Sequence, residues 1–367
     1  MGPVAPEGPT VAVLANLDDI EREARSRLDA PVYDYFAGGA GDERTLKRNS
    51  AAWGELVLRP RQLVDVSGVD TSIELLGHRL DLPVLMAPCA FNVLAHSDGE
   101  LGVARAAARA GIVQVLSMQA TTTIEEVASI GDGQRWLQLA VLRDRGITRA
   151  LVERAEAAGY TALCLTVDVP ILGRRERDVR NSFRVPDGVE MVNLSPYTPA
   201  GLAEADPQTA LARFVNGLFD PGLTWDALDW ICSITKLPVL AKGILTGDDA
   251  RRAVEHGAAA IMVSNHGGRQ LDGVSSTCEA LPEVAEALAG RVPITVDGGL
   301  RRGLDVVRAI ALGASAVLLG RPYLWALAVD GEAGVQSMLE MFRREIEVAM
   351  ALLGRPSIAD IDGGVLA

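Results

Sequence analysis

The sequence is poor in cysteine and histidine, and each scarcity limits the kinds of site that it can form. Its four cysteines, Cys89, Cys164, Cys232 and Cys278, are far apart among 367 residues, and none forms a C-x-x-C pair. This spacing argues against a disulfide scaffold and against a zinc site. We therefore expect no bound metal and a reducing, cytoplasmic location. Only four histidines occur, so a histidine at the end of a buried strand is a candidate for chemistry.

Long apolar runs and an excess of positive charge are also absent. The longest apolar runs, such as AIMVS and AVLLG, fall far short of the roughly 20 residues of a membrane-spanning helix. Lys and Arg total 35 against 48 Asp and Glu, a formal net charge of −13, so the surface repels nucleic acids and anionic lipids. We expect neither as a partner. Residues 1–15 lack a charged start and a long apolar stretch, which predicts a flexible leader.

Eight short apolar runs have the length and composition of buried strands. They are PVLMAP (83–88), VQVLS (113–117), WLQLA (136–140), ALCLTVD (162–168), PVLAKG (238–243), AIMVSN (260–265), PITVDGG (293–299) and AVLLGRP (316–322). Unbroken apolarity, rather than alternation with polar residues, is expected of strands that are covered on both faces in a parallel sheet.

Segments with helical periodicity lie between these runs, and most of them end at a glycine. These glycines are Gly111, Gly131, Gly159, Gly257, Gly290 and Gly313. Glycine supplies the left-handed residue that follows a helix C-cap. The repeated alternation of strand and helix predicts a single α/β domain over residues 1–367, a (β/α)8 TIM barrel. A doubly wound open sheet is disfavoured because no strand is followed by G-x-G-x-x-G at a helix start.

Three segments lie outside the regular repeat or end it. Residues 16–42 have an N-cap, Asn16 or Asp18, and apolar residues at helical spacing, which predicts N-terminal helices that cover the barrel. The connection over residues 174–223, after the fourth strand, is the longest and carries several prolines. A long loop over the functional face of a barrel is a candidate active-site lid. Residues 334–354 are expected to form the eighth barrel helix.

Polar residues or glycines stand at the carboxyl ends of all eight predicted strands, where a barrel places its active site. In chain order the residues there are Pro88, Cys89, Ala90, Ser117, Gln138, Ala140, Thr166, Asp168, Lys242, Ser264, His266, Arg269, Asp297, Gly298, Gly299, Arg301, Gly320 and Arg321. One such residue often only completes the hydrogen bonds of a loop. Their presence at every strand end favours a functional site.

The last two strand ends combine glycines with Arg301 and Arg321. In barrels, the loops after the seventh and eighth strands commonly hold a phosphate, and glycine lets backbone N–H groups approach that anion. The polar groups on earlier strands then suit a flat, hydrogen-bonding body attached to the phosphate. Lys242 would place a positive charge against a ring system that becomes anionic on reduction.

Six motifs together resemble the FMN-dependent 2-hydroxy acid oxidizing family, which includes glycolate oxidase, lactate oxidase and mandelate dehydrogenase. They are YDYFAGGAGDE, TVDVPILGRRERD, KGILT, SNHGGRQLDG, DGGLRRG and GRP, and they span nearly the whole chain. The resemblance implies FMN as the cofactor. It implies that the isoalloxazine ring is held by Pro88, Cys89, Ala90, Ser117, Gln138, Thr166, Lys242 and Ser264. It assigns the phosphate and ribityl chain to Asp297, Gly298, Gly299, Arg301, Gly320 and Arg321.

The same resemblance implies the catalytic and substrate-binding residues. His266 resembles the family's base, which takes a proton from the 2-hydroxy acid while two electrons pass to the flavin. Asp168 resembles the carboxylate that orients this imidazole. Arg175 and Arg269 resemble the arginines that bind the substrate carboxylate, and Tyr35 resembles the substrate-binding tyrosine. Clustered aromatics such as those around Tyr35 are otherwise more often core residues.

Two positions depart from glycolate oxidase-like members. Ala140 stands where those members carry a substrate-binding tyrosine, and Gln119 stands where they carry an aromatic residue. Because the flavin-side motifs are intact, we expect retained redox chemistry on a 2-hydroxy acid larger than glycolate, aryl or biosynthetic, which becomes the 2-oxo acid. Oxidation of an amine or another biosynthetic intermediate, an FMN-using isomerase and a non-catalytic flavoprotein are the alternatives. The retained His266 and arginine pair argue against the last two.

The resemblance also bears on partners. Ala90 is similar to the residue of oxidase members, which implies O2 as the electron acceptor; a quinone or a protein acceptor is the alternative. A homo-oligomer, a tetramer, is implied in the same way. Whether the substrate loses a hydride or reacts through a carbanion is left open by these residues.

Overall fold

A computed structural model describes residues 14–131, 133–197 and 215–367. The strands are β1 (Ile73–Leu75), β2 (His78–Leu80), β3 (Val84–Met86), β4 (Gln114–Ser117), β5 (Arg135–Leu139), β6 (Ala162–Thr166), β7 (Val239–Ile244), β8 (Ala260–Val263), β9 (Ile294–Val296) and β10 (Ala316–Leu319). Strands β3 to β10 form a closed parallel barrel in chain order, with β10 paired to β3. The predicted (β/α)8 TIM barrel is confirmed, and each of the eight apolar runs overlaps one barrel strand.

The barrel is filled from within and closed at one end. Leu85, Trp136 and Met262 belong to the cluster of buried side chains inside it, and Leu75 and Leu80 of the antiparallel β1–β2 hairpin join the same cluster. Because β2 leads directly into β3, the hairpin closes the end at which the barrel strands begin. The opposite, carboxyl end is therefore the one left for a site.

The helices are α1 (Leu17–Arg27), α2 (Ala30–Ala37), α3 (Arg44–Glu55), α4 (Gly99–Arg109), α5 (Ile124–Ala128), α6 (Arg145–Ala157), α7 (Glu176–Arg180), α8 (Asp226–Ser233), α9 (Gly247–Glu255), α10 (Thr277–Leu288), α11 (Gly303–Ala311) and α12 (Arg321–Leu353). The six glycines predicted to follow helices all have positive φ, from 55° at Gly131 to 104° at Gly313. Within the described ranges, no helix has the length and apolarity needed to cross a membrane.

Helix α1 begins at one of the two N-cap residues that the sequence predicts. The side chain of Asn16 accepts the N–H of Asp19 at 3.0 Å, so Asn16 rather than Asp18 is the N-cap of α1. Helix α1 packs against α12, and α2 follows it with Tyr35 close to its carboxyl end. Helix α3 contacts the turn that follows β8.

The helix predicted over residues 334–354 is found close to its predicted bounds, and a further helical segment precedes it. Helix α12 begins at Arg321, directly after β10, and the predicted eighth barrel helix is its second part. Its course is interrupted at Asp330 and Gly331, and the backbone of Gly331 has φ 54° and ψ −137°, which glycine tolerates. Asp98 Oδ2 accepts the N–H of Glu332 at 2.9 Å and caps the resumed helix. The glycine-rich sequence before residue 335 therefore marks an interruption within a helix.

Two predicted segments extend beyond the described residues. Residues 1–13 of the expected leader and residues 198–214 of the candidate lid lie outside them. The described part of the candidate lid contains the short helix α7 and supplies residues to the cavity below.

Trp136 is 1% exposed inside the barrel, and we expect Trp136→Ala to lower the free energy of unfolding by about 3–5 kcal/mol, because a buried cavity replaces the indole. Denaturant unfolding followed by circular dichroism measures the change. Trp230→Ala is the matched control, since Trp230 lies on α8 beneath the guanidinium of Arg145, and we expect a change within about 1 kcal/mol. Equal effects of the two substitutions would contradict a packed barrel interior.

Candidate active site

A cavity opens at the carboxyl end of the barrel, opposite the hairpin. Its empty volume, including the mouth, is about 1280 Å³. Most residues predicted for the site line it: Tyr35, Pro88, Cys89, Ala90, Ser117, Gln138, Thr166, Arg175, Lys242, His266, Arg269, Asp297, Gly298, Gly299, Arg301, Gly320 and Arg321. Asp168 and Ser264 lie behind this wall in contact with His266. Ala140 also lies off the wall.

His266 and Asp168 meet across the ends of β8 and β6. His266 Nδ1 lies 3.0 Å from Asp168 Oδ1 and 3.5 Å from Lys242 Nζ. A carboxylate accepts a hydrogen bond from Nδ1–H, which fixes the tautomer and leaves Nε2 unprotonated. The imidazole is thus oriented with Nε2 as its free nitrogen.

Burial and the charge of Lys242 keep this imidazole neutral at physiological pH. Burial, and next the positive charge of Lys242, lower the pKa of His266, while Asp168 opposes them. Burial alone would raise the pKa of Asp168, but interactions with His266 and Lys242 outweigh it and lower that pKa. Burial by itself would lower the pKa of Lys242, but the charges of Asp168 and Asp297 outweigh it and raise that pKa. The site therefore holds a neutral imidazole, a carboxylate and an ammonium group.

The backbone that carries His266 is left-handed. The φ angles of His266, Gly267 and Gly268 are 57°, 63° and 73°, and this conformation costs a non-glycine residue on the order of 1–2 kcal/mol. Ser264 Oγ accepts the N–H of His266 at 3.0 Å, and Lys242 Nζ donates to the same oxygen at 3.2 Å. The sequence prediction missed this turn, for which the glycine pair after His266 is the available signal.

A row of hydrogen-bonding side chains crosses three adjacent strands on one side of the cavity. Ser117 Oγ donates to Gln138 Oε1 at 3.1 Å, and Gln138 Nε2 donates to Thr166 Oγ1 at 3.0 Å. Asp297 is buried next to Lys242, with its Oδ2 3.9 Å from Nζ, and its Oδ1 has no hydrogen-bond partner in the described part of the chain. Donors and acceptors in such a row suit the polar edge of a flat heterocycle.

Buried arginines make the cavity selective for anions. Burial, followed by the charges of Arg269 and Arg301, lowers the pKa of Arg321 to about 9. Burial and the charge of Arg269 lower the pKa of Arg175 to about 10. Both groups stay protonated at neutral pH, and Arg175 Nε is buried without a hydrogen-bond partner among the described residues. Such incompletely compensated positive charge favours a phosphate or a carboxylate in the cavity.

Arg321 and Arg269 also donate hydrogen bonds to main-chain carbonyl groups, and the sequence prediction missed this role. Arg321 donates from Nη2 to Gly38 O at 2.9 Å and from Nη1 to Gly267 O at 3.0 Å. Arg269 Nη1 donates to Tyr35 O at 2.8 Å and to Gly38 O at 2.7 Å. These bonds satisfy carbonyl groups at the carboxyl end of α2. They fasten that helix against the turn that carries the imidazole.

Tyr35 is both a core aromatic and part of the cavity wall. Its ring stacks on Phe183 with centroids 4.4 Å apart, and the guanidinium of Arg269 lies 5.3 Å from its centroid. Burial raises the pKa of the Tyr35 hydroxyl, which therefore stays protonated and can donate a hydrogen bond.

The remaining wall is largely apolar, and part of it comes from the segment predicted as an active-site lid. Met118, Val169, Leu172, Val215 and Phe219 line this side together with Gln119. The last two apolar residues belong to the described part of the candidate lid. The N–H of Ala140 donates to Met118 Sδ at 3.3 Å, so Ala140 contacts a residue of the cavity wall without being part of that wall. Apolar loop residues carry no sequence signal that separates them from core residues.

Comparisons with known proteins agree with this arrangement over nearly the whole chain. Residues 24–367 match the family model for FMN-dependent dehydrogenases. The chain is 50% identical to the L-lactate oxidase of Nostoc sp. over 355 residues, or 96% of this chain and 97% of that protein. It is 49% identical to glycolate oxidase 3 of Arabidopsis thaliana over 348 residues, or 95% and 94%. A crystal structure of mandelate oxidase with (S)-4-hydroxymandelic acid has a TM-score of 0.92 at 44% identity, over 96% of this chain and 98% of that chain.

The charges around the imidazole predict how its pKa responds to substitution. We expect the pKa of His266 to lie below the ordinary 6.5. Asp168→Asn should lower it further, because the carboxylate favours the imidazolium, whereas Lys242→Met should raise it. A pH titration by NMR of ¹³C-labelled histidine measures this pKa. A pKa above 6.5 in the unaltered protein, or a rise in Asp168→Asn, would contradict this description.

Proposed function

Because this chain belongs to the FMN-dependent 2-hydroxy acid oxidase family, we propose that it oxidises a 2-hydroxy acid larger than glycolate to the 2-oxo acid, with His266 as base. FMN is the cofactor, and it supplies the acceptor for the two electrons that leave the substrate. The observation that carries the role of His266 is its 3.0 Å contact with Asp168, in a cavity with buried arginines.

The chemistry of the cavity wall fits FMN. Ser117, Gln138 and Thr166 offer a hydrogen-bonding row to the edge of the ring, and Lys242 offers a positive charge. Pro88, Cys89 and Ala90 line the same cavity and would border the ring. Arg301 and Arg321, with the glycines at the ends of β9 and β10, would hold the phosphate, while Asp297 Oδ1 is a buried acceptor still available to the ligand. Ser264 supports His266 and Lys242 from behind.

His266 takes the substrate proton at Nε2. Asp168, on Nδ1, stabilises the imidazolium that forms, so the imidazole becomes a stronger base without losing its orientation. In a hydride route the proton comes from the 2-hydroxyl, and in a carbanion route it comes from C2. Either proton must lie within hydrogen-bonding reach of Nε2.

The substrate carboxylate binds to Arg175 and Arg269. Arg175 Nε has no partner among the described residues, and a guanidinium matches a carboxylate with two parallel hydrogen bonds. The Tyr35 hydroxyl, which stays protonated, donates to the same substrate. These three side chains orient C2 of the substrate toward His266.

The apolar wall supports a large side chain on the substrate, such as an aryl group. Phe219 and Leu172 line the cavity together with Met118, Val169 and Val215. O2 is the proposed electron acceptor, supported by the oxidase names of the relatives and by Ala90. A cytoplasmic location and a homotetramer rest on composition and on resemblance alone, and they stay predictions.

His266→Ala is expected to leave FMN bound and to slow flavin reduction by 2-hydroxy acid about 10²–10⁴-fold, the usual contribution of general-base catalysis. Stopped-flow absorbance without oxygen measures that rate, and the spectrum of the purified variant reports bound FMN. His256→Ala is the matched control, since His256 caps α9 and pairs with Asp229 away from the cavity. A reduction rate within a few-fold of the unaltered protein would remove His266 as the base.

Mandelate is expected to have a kcat/KM at least about tenfold above that of glycolate, because burial of a phenyl group contributes about 1.5–3 kcal/mol. Phe219→Ala should lower kcat/KM for mandelate more than for glycolate, since Phe219 lines the cavity. Steady-state kinetics with both substrates tests the preference. Equal efficiency with glycolate and mandelate would contradict the proposed substrate size.

A further inference from the structure

A buried pair of asparagines lies beneath the left-handed turn that carries His266. Asn265 directly precedes His266, and Asn49 lies on α3, outside the barrel. The two residues are 4% and 1% exposed. Asn49 Nδ2 donates to Asn265 Oδ1, and Asn265 Nδ2 donates to Asn49 Oδ1, both at 2.8 Å. Two side-chain amides thus form a closed, reciprocal pair between an outer helix and the turn.

The Asn265 amide also binds the turn itself. Its Oδ1 accepts the N–H of Gly268 at 3.1 Å, and its Nδ2 donates to Ser275 O at 3.1 Å. With the two bonds to Asn49, these contacts use the full hydrogen-bonding capacity of the amide. The oxygen holds the last residue of the left-handed run, and the nitrogen holds the chain that leaves it.

Asn49 is well fixed by its own surroundings. Its Oδ1 also accepts the N–H of Thr277 at 3.4 Å. On the same helix, Trp53 Nε1 donates to Gly298 O at 2.9 Å. A Cβ on Gly299 would lie 2.1 Å from Asn49 O, so α3 and the loop after β9 are in close contact. Helix α3 is therefore a rigid support for the turn.

We propose that Asn265 and Asn49 are positioning residues that hold the His266 backbone in its left-handed conformation. A strained backbone persists only where the surrounding structure determines it, and a fully satisfied buried amide network is such a structure. Loss of either amide leaves a buried group of the other unpaired. The turn then relaxes, and the imidazole leaves its contact with Asp168. The inference rests on the proposed role of His266 as base and adds residues that do not touch the substrate.

The competing explanation is that the pair contributes only to stability. Thr148→Ala measures what such a loss does, because Thr148 is a fully buried residue of α6 whose Oγ1 accepts the N–H of Leu142 at 3.0 Å, apart from the cavity wall and from the candidate lid. We expect this control to lower the melting temperature and to leave the rate of flavin reduction unchanged. A positioning role requires that the asparagine-pair variants lose more of the flavin reduction rate than this control variant does.

The test compares Asn49→Ala, Asn265→Ala and the double variant as FMN-loaded proteins. For each single variant we expect flavin reduction at saturating mandelate to slow about tenfold or more, while bound FMN and the Kd for mandelate stay within about threefold. The double variant should be no slower than Asn265→Ala, since residues that act as one unit give non-additive effects. If Asn49→Ala fails to fold, Asn49→Asp replaces it, because Asp keeps the shape of Asn and lacks the Nδ2 group that donates to Asn265.

Hydrogen exchange gives a second readout that needs no substrate. We expect the peptide over residues 264–276 to exchange about tenfold faster in Asn49→Ala than in the unaltered protein, and at the rate of the unaltered protein in Thr148→Ala. If no 2-hydroxy acid reduces the flavin of the unaltered protein, the proposed function fails, and exchange still tests the positioning role. Unchanged reduction and exchange in Asn49→Ala, or loss of FMN in place of loss of rate, would overturn the inference.

Discussion

The contact between the His266 imidazole and the Asp168 carboxylate is the interaction on which the rest of the site depends. The two residues follow β8 and β6, and Lys242 on β7 lies between them. A buried carboxylate is costly unless positive or hydrogen-bonding partners compensate it, and closure of the barrel brings both partners to it. In return, the carboxylate fixes the tautomer of the imidazole. The parallel barrel, the buried charges and the proposed base are thus one linked arrangement.

The electrostatics of the site are opposite to those of the whole chain. The protein carries a formal net charge of −13, yet the cavity contains Arg175, Arg301 and Arg321, whose pKa values are all lowered by burial. A negative surface disfavours extended polyanions, whereas a small anion inside the cavity meets desolvated guanidinium groups. A phosphate and a substrate carboxylate satisfy this requirement together. The anion selectivity of the site is therefore local and compatible with an acidic protein.

Much of the fold and of the cavity wall could be predicted from the sequence because the signals are local. Buried parallel strands are continuously apolar, and Gly131 and Gly313 end helices with positive φ as their position predicts. The left-handed backbone at His266, the bonds from Arg321 to main-chain carbonyls and the support from Asn49 depend on contacts between segments far apart in the chain. No local pattern reports such contacts. Ala140 illustrates the same limit, since the strand pattern does not report that this residue lies off the cavity wall.

The most direct test of the account is the visible spectrum of the purified protein, titrated with mandelate in the absence of oxygen. The account predicts a yellow protein whose flavin band bleaches, with one molecule of 2-oxo acid formed for each flavin reduced. A yellow protein whose band persists with every 2-hydroxy acid from glycolate to mandelate would contradict it.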